Sequence, residues 1–210
     1  MGVRVDSDEH RTVRGRPLNK MALCGALVVT AMFLLALCAP LLPGDPGAVD
    51  ISRQLQPPGS DAWLGTDDLG RDVFLRIAYG ARISLLVGFV AVGIASVIGV
   101  LIGAVAGYYS GWVDSVVMRF VDVMLCFPSF FLILAVIAFL EPSIWNIMII
   151  IGLTGWMGVA RLVRAEFLSL RERDFVMAAR GLGATDMRII LRHILPNAIS
   201  PVLVSATLGV

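Results

Sequence analysis

Charged side chains are scarce in this chain of 210 residues: they make up 16% of it, whereas hydrophobic residues make up 58%. Soluble domains carry about 25% charged residues. The formal net charge is only +1, and sixteen of the seventeen basic residues are arginines that cluster between long apolar runs. Because a nucleic-acid-binding protein needs a dense basic surface, this composition excludes nucleic acid as a partner and indicates a membrane protein.

Cysteine and histidine are also rare, with three and two residues respectively. Cys24, Cys38 and Cys126 lie in apolar segments without CxxC spacing, and His10 is far from His193. Zinc sites and disulfide frameworks have recognisable ligand spacings. We therefore expect no metal site, and we interpret the cysteines as small buried hydrophobic residues.

Common catalytic motifs are missing as well. The chain contains no GxxxxGK[ST] nucleotide-binding loop, no GxSxG nucleophile turn and no HExxH zinc motif. We expect a chain that is not an enzyme and that binds no cofactor itself.

Long apolar runs dominate instead, and about 20 apolar residues suffice to cross a bilayer as a helix. The sequence predicts an all-α polytopic membrane protein with spans at residues 21–42, 83–109, 116–140, 142–160 and 194–210. A cleaved signal peptide is the alternative for the first run, but the length of that run favours an uncleaved helix. The last run is barely long enough to cross, so we expect a truncated fifth span.

Arginines between the runs predict the orientation. Residues 1–20 and 161–193 are basic, whereas residues 43–82 hold more acidic than basic side chains. The positive-inside rule then places the first two segments in the cytoplasm and residues 43–82 outside. We interpret residues 1–20 as a disordered tail, because they are polar and lack periodicity.

Small residues recur at every fourth position of the second run, where small side chains let membrane helices approach closely. They predict a helix-packing face formed by Ala91, Ala95, Gly99, Gly103 and Gly107.

Two opposite charges lie near the start of the third run. Asp122 follows Arg119 by three positions, on the same helical face. A carboxylate inside a span is a functional-site hypothesis by default. A structural ion pair between these two residues near the headgroups is the interpretation we favour.

A polar stretch precedes the second run and reads WLGTDDLGRD at residues 63–72. Thr66 or Asp67 can cap a short helix, and the glycines permit tight turns. We interpret its charges as capping and salt-bridging groups and not as a divalent-cation site.

A second polar stretch, DFVMAARGLGATDMRIILRHILPN, occupies residues 174–197. Residues 174–180 can form a short helix that Gly181 and Gly183 end. Thr185 or Asp186 can cap a second helix, and Pro196 suits the first turn of the next span.

Both stretches resemble one family. The first resembles the LGTDxxGRD signature of C-type subunits of dipeptide and oligopeptide importers, carried here by Leu64, Gly65, Thr66, Asp67, Gly70, Arg71 and Asp72. The second resembles the EAA loop of binding-protein-dependent ABC importer permeases, in its dipeptide/oligopeptide/nickel variant. The positions that match at the family spacing are Ala178, Ala179, Gly183, Leu195 and Pro196. Met177 replaces the glutamate of the pattern, while His193 and Asn197 fit the His-x-Leu-Pro-Asn form of the dipeptide branch.

The resemblance implies the type I ABC importer transmembrane fold, with six spans of which this chain holds about five. It implies a permease subunit of the cytoplasmic membrane that imports dipeptides or short oligopeptides by alternating access. The implied partners are a homologous second permease, two ATPase subunits carrying ATP and Mg, and an extracytoplasmic substrate-binding protein. The ATPases would dock on a coupling helix made of Asp174, Phe175, Val176, Met177, Ala178, Ala179, Arg180, Gly181, Leu182 and Gly183.

Alternatives remain open at this point. Nickel or another small solute is a second cargo class within the same family. An ion-coupled secondary transporter would use Asp122 and would show inverted repeats, but the chain has no convincing internal repeat. An intramembrane enzyme is remote because no nucleophile–base constellation is present.

Overall fold

The computed structural model describes residues 20–140 and 143–209. Helices make up 78% of it, and no strand occurs within these residues; one isolated bridge joins Thr66 and Asp72. The predicted all-α class is confirmed. The predicted tail at residues 1–20 lies outside the described residues, except for Lys20.

Eight α-helices follow one another along the described chain. They are α1 (Lys20–Cys38), α2 (Val73–Tyr109), α3 (Gly111–Leu125), α4 (Ser129–Phe139), α5 (Ile144–Leu170), α6 (Asp174–Gly181), α7 (Asp186–Ile189) and α8 (Leu195–Gly209). Short 3₁₀ turns occupy Ala39–Leu41 and Ile51–Arg53, and a π-helical turn at Ile190–Ile194 joins α7 to α8.

Four helical segments of the described chain are long and apolar enough to cross a membrane: Lys20–Leu41, Val73–Tyr109, Ile144–Leu170 and Asp186–Gly209. A fifth span is reached if α3 and α4, which are bent by 73° to each other, count as one.

The second helix begins earlier than predicted. It starts at Val73 instead of residue 83, because the Asp72 carboxylate accepts a hydrogen bond from the Leu75 amide at 3.1 Å and caps the first turn. The charged residues between residues 73 and 83 belong to the helix. Hydropathy identifies the apolar stretch that can cross a bilayer, and a helix can extend beyond that stretch.

The predicted third span, residues 116–140, is broken. The helix α3 ends at Leu125, and Pro128 stands at the N-cap of α4 in extended conformation. Proline has no N–H to continue the α3 ladder and restricts the residue before it. The result is two helices with a sharp bend between them.

The predicted fourth span is longer at its C-terminal end. The helix α5 runs through residue 160 to Leu170, so the first part of the predicted loop 161–193 is helical. Arg161 and Arg164 stay within the helix because carboxylates of α3 pair with them. At the other end of that loop, helical structure resumes at Asp186, before residue 194.

The chain divides into two compact units with the boundary at Ala81, inside α2. The first unit contains α1 and the segment before α2. Nearly the whole surface of α1 is exposed, and Ala36 is its one buried residue. An apolar helix with so little burial is typical of a helix that meets lipid or another subunit.

The second unit contains the remainder of α2 and helices α3–α8. Its main core cluster consists of Ala104, Tyr108, Val163, Phe167, Val176, Ile189, Ile194, Ala198 and Val202. A second cluster consists of Ala95, Val121, Trp156, Met157 and Ala160.

The small-residue stripe of α2 lies against α5. A Cβ atom placed on Gly99 would lie 2.6 Å from the Val159 Cβ, and one on Gly103 would lie 2.5 Å from the Ala160 carbonyl oxygen. A Cβ on Gly107 would meet the Phe167 Cβ at 2.6 Å. The two other members of the stripe, Ala91 and Ala95, are buried. The helices thus approach so closely that no side chain fits between them.

The cysteines are placed differently from expectation. Cys24, Cys38 and Cys126 are all free and exposed. Cys24 and Cys38 lie on α1, and Cys126 lies in the turn after α3. The apolar runs predicted burial, but apolar sequence does not show whether another part of the same chain covers a residue.

Candidate functional site: the segment between α5 and α8

A short helix, α6, follows α5 after a tight turn. The first hydrogen-bonded amides of α6 are those of Val176 and Met177, which donate to the Arg173 carbonyl oxygen at 2.9 Å and 3.1 Å. Asp174 lies in the first turn and Arg180 in the last. Both charges have the sign that the helix dipole favours at their end.

The C-terminus of α6 is a Schellman motif. The Ala184 amide donates to the Ala179 carbonyl at 3.1 Å, and the Gly183 amide donates to the Arg180 carbonyl at 3.0 Å. Gly183 has a φ of +79°, the left-handed conformation that this motif requires after the cap. A Cβ atom at Gly183 would meet nothing within 4 Å, so lack of space does not explain the glycine. The left-handed backbone conformation explains why the EAA pattern has glycine at this position.

The two faces of α6 differ in burial. Val176 is fully buried among core residues that include Phe167 and Ile189, and Ala179 is also buried. Both were predicted as docking contacts, but in the structure both are buried, and Val176 belongs to the core cluster that contains residues of α5 and α8. The period of a helix turns these two positions inward together, since they are three residues apart.

The other predicted docking residues are exposed. Leu182 has 89% of its surface accessible, and Phe175 and Met177 are also exposed large apolar residues. Asp174, Ala178, Arg180, Gly181 and Gly183 share this exposed side. Three apolar side chains among charges, on a helix fastened from behind, form a surface suited to a groove in another protein.

The predicted EAA-loop positions after α7 shape the start of α8. His193 lies in the π-helical turn, and Leu195 and Pro196 begin α8. Pro196 cannot donate to the ladder, and the turn before it widens so that the Leu195 amide bonds to the Ile190 carbonyl. The Asn197 side-chain amide donates to the His193 carbonyl at 2.7 Å. Sequence analysis missed this π-helical turn, for which the Leu-Pro-Asn string was the available signal.

Polar side chains join this segment to the end of α2. The Tyr108 hydroxyl donates to Asp186 Oδ1 at 2.6 Å, and Arg171 Nη1 donates to the Tyr108 carbonyl at 3.2 Å. They border an open cavity of about 560 Å³ that Arg180 also lines. Asp186 was predicted only as a cap, and neither Tyr108 nor Arg171 was singled out. In the structure Thr185 holds the N-cap position, without a side-chain capping bond among the described residues.

Two ion pairs connect α3 to α5. Asp122 pairs with Arg161, and Asp114 pairs with Arg164 through two contacts, of which Nη2–Oδ2 is 2.6 Å. The predicted pair was Arg119 with Asp122. In the structure the Asp122 carboxylate turns to the neighbouring helix, a contact that spacing along one helix cannot reveal.

The LGTDxxGRD signature builds the framework of the segment before α2. The Asp67 carboxylate accepts from the Leu69 amide, the Arg71 amide and Arg71 Nε, each at 2.9 Å, and from Arg76. Removing this carboxylate from water by itself raises its pKa. The Arg71 and Leu69 amides and the Arg71 guanidinium outweigh that effect and lower the pKa of Asp67 to about 2.

The neighbouring signature residues are structural as well. Thr66 is buried, accepts from the Gln56 amide at 2.9 Å and donates to the Arg53 carbonyl. Gly65 and Gly70 have φ values of +75° and +70° and pass close to other backbone atoms, so glycine is required there. Leu64 is exposed. Neither Thr66 nor Asp67 caps the helix; Asp72 does.

Comparison with known proteins agrees with this geometry. The family described as "Binding-protein-dependent transport system inner membrane component" matches residues 99–210. The chain belongs to this family. The match includes α6, the Schellman turn and the π-helical turn. The family described as "N-terminal TM domain of oligopeptide transport permease C" matches residues 18–58.

Curated relatives of this family member carry matching names. The chain is 47% identical over 192 residues to the dipeptide transport system permease protein DppC of Alkalihalophilus pseudofirmus. It is 39% identical to DppC of Bacillus subtilis and 36% identical to the oligopeptide transport system permease protein OppC of the same species, each over 193 residues. The alignments cover 91% of this chain and 63%, 60% and 63% of those relatives. The chain thus spans about three fifths of their length.

Proposed function

We propose that this chain is a permease subunit of an ABC importer that moves dipeptides or short oligopeptides across the cytoplasmic membrane. The observation that carries the proposal is α6: a short helix with an exposed apolar tip, fastened from behind by a fully buried Val176. The names of the curated relatives support the peptide cargo. Nickel or another small solute has no comparable support among them.

In the proposed mechanism, α6 acts as the coupling helix. Separate ATPase subunits, which carry ATP and Mg, bind the exposed side of α6. When the two ATPase subunits close on each other, they displace α6. Because Val176 and Ile189 belong to the same core cluster as Phe167 of α5 and Val202 of α8, the displacement reaches the spans. Alternating access then needs two packings of the spans that different ligand states favour.

The proposed assembly contains a homologous second permease, two ATPase subunits and an extracytoplasmic substrate-binding protein, all around a lipid-embedded core. Residues 1–20 and the α6–α7 segment (residues 174–189) would face the cytoplasm, and residues 43–72 the outside. This chain itself would bind no cofactor.

An ion-coupled transporter is not favoured. Its candidate group, Asp122, pairs with Arg161 on the surface of the described chain, where the two side chains are 56% and 51% exposed. A half-exposed ion pair of this kind is typical of a contact that joins two helices.

The docking assignment is tested with two exposed apolar residues, Leu182 after α6 and Ile51 in the segment before α2. We expect Leu182→Glu to lower the amount of ATPase that copurifies with the complete permease about tenfold, because an apolar anchor at an interface contributes 1.4 kcal/mol or more. Ile51→Glu is the matched control, since Ile51 is 73% exposed in the segment before α2. Equal recovery of ATPases with both variants would contradict the proposal.

A further inference from the structure

Polar contacts of Tyr108 connect the last turn of α2 with the α6–α7 segment and with the residue that follows α5. The Tyr108 hydroxyl donates to Asp186 of α7 at 2.6 Å, across 78 positions of sequence. Arg180 of α6 lies beside the same hydroxyl. Arg171, just after α5, donates to the Tyr108 carbonyl at 3.2 Å. Tyr108 therefore contacts three parts of the chain: α6, α7 and the turn after α5.

The ring and the hydroxyl of Tyr108 have separable roles. Tyr108 is 6% exposed and belongs to the main core cluster, with Phe167 and Val176 among its members. Phenylalanine would keep this packing. The hydroxyl adds a directional bond to a carboxylate, and bonds to charged groups are about twice as strong as those between neutral groups.

Without the hydroxyl, which contacts both Asp186 and Arg180, Tyr108 would meet the α6–α7 segment through apolar packing alone. Apolar packing is non-directional, so it resists separation of two elements better than it resists sliding. A hydrogen bond loses strength steeply when its angle changes. The bond to Asp186 thus makes the end of α2 follow the α6–α7 segment when that segment shifts sideways.

We infer that Tyr108 is a positioning residue that passes displacement of the α6–α7 segment directly to α2, by a route separate from α5 and α8. The inference rests on the proposed function, because it assumes that an ATPase moves α6. It concerns transmission and not docking, since the Tyr108 side chain is buried.

The test uses the complete transporter in proteoliposomes, with peptide uptake and ATP hydrolysis measured in the same samples. We expect Tyr108→Phe to assemble with its ATPases and to hydrolyse ATP, while peptide taken up per ATP falls about tenfold, the factor that corresponds to one lost hydrogen bond to a charged group. Asp186→Ala should produce the same loss, and the double variant should be no worse than either single one.

Two further variants separate the bond from its surroundings. Asp186→Asn keeps a side-chain oxygen that can accept from Tyr108, so it should restore most of the uptake per ATP. Tyr109→Phe removes the hydroxyl of the adjacent tyrosine, whose ring packs edge-on against Tyr108 at 5.2 Å. It should leave the ratio unchanged.

The outcomes are distinct for the two proposals. A wild-type transporter that hydrolyses ATP with its partners but imports no peptide would overturn the proposed function. Wild-type import together with an unchanged ratio in Tyr108→Phe would overturn only the inference. A Tyr108→Phe subunit that no longer assembles with the ATPases would also overturn it, because the hydroxyl would then serve docking.

Discussion

Asp67 shows how one side chain organises a whole segment. Its carboxylate accepts from two backbone amides and from two arginines, Arg71 and Arg76. The sequence predicted Thr66 or Asp67 as a helix cap and salt bridges among the charged residues of this string. In the structure the two roles belong to different residues. Asp72 caps α2, whereas Asp67 bonds to amides and arginines of the segment before it and of the first turn of α2.

The lowered pKa of Asp67 predicts how this segment responds to acid. Its folded pKa of about 2 lies below the ordinary value of 3.8. The stabilisation is therefore present above about pH 4 and is lost as the pH falls toward 2. We expect hydrogen-exchange protection at the Leu69 and Arg71 amides to fall over that range, after correction for intrinsic rates.

The matched variants for this prediction are Asp67→Asn and Asp68→Asn. The first should lower protection already at neutral pH and should remove the step between pH 4 and 2. The second changes an exposed neighbour and should behave as the wild type does. Loss of protection in both variants would assign the effect to net charge and contradict the specific role of Asp67.

Other single residues were beyond reach of the sequence. Arg161 and Asp122 are 39 positions apart, and nothing in their local pattern joins them. The same holds for Tyr108 and Asp186. Contacts between helices depend on the angle and offset at which the helices pack, and these quantities are set by many side chains at once.

Among the elements, α6 is the one whose sequence and structure agree in most detail. The glycines after residue 180 predicted its end, and the Schellman bonds at Gly183 show how the end is made. Its inward face was the part that sequence analysis did not separate from its outward face, because an eight-residue helix flanked by charges gives a weak periodic signal.

We predict that Gly183→Ala destabilises the end of α6 by about 1 kcal/mol, the cost of a left-handed conformation for a residue with a Cβ atom. Gly181→Ala is the control, because Gly181 is the last residue of the helix and a Cβ there meets nothing within 4 Å. It should be neutral or slightly stabilising.

Hydrogen exchange of residues 174–189 in the assembled complex measures both variants. Faster exchange in Gly183→Ala alone is the expected result. Equal exchange in the two variants would show that the φ of +79° at Gly183 is not a constraint on this helix end.

Helix boundaries were predicted less well than helix existence. The N-terminal extension of α2 and the continuation of α5 to Leu170 both contain charged residues that end an apolar run without ending the helix. Capping by Asp72 and ion pairing of Arg164 accompany these extensions. Pro128 lies inside the third apolar run, and proline is compatible with a kinked helix as well as with a broken one.

At the largest scale, the second unit is built on the close packing of α2 against α5. The stripe of small residues predicted a packing face, and the sequence could not name the partner helix. In the structure the partner is α5. Its Gly152 also packs closely on α2, because a Cβ there would lie 2.7 Å from the Ile94 Cβ.

We predict that Gly103→Ala destabilises the assembled permease by about 1–3 kcal/mol, because overpacking at a close backbone contact forces the helices apart. The new Cβ would stand 2.5 Å from the Ala160 carbonyl oxygen, which belongs to the backbone and cannot rotate away. Gly93→Ala, on the same helix with nothing within 4 Å, is the matched control. Thermal unfolding in detergent or nanodiscs measures both. An unchanged Tm for Gly103→Ala would contradict the packing of these two helices.

Composition and apolar run length predicted the helical membrane class, and two short motifs predicted the family; the comparisons and the structure confirm both. These are local properties, since each depends on residues within one stretch of chain and on the thickness of a bilayer. Only the folded chain showed the inward face of α6, the pairing of Asp122 with Arg161 and the bond from Tyr108 to Asp186. Each of them depends on which helices become neighbours, and that choice is made by the packing of all the helices together.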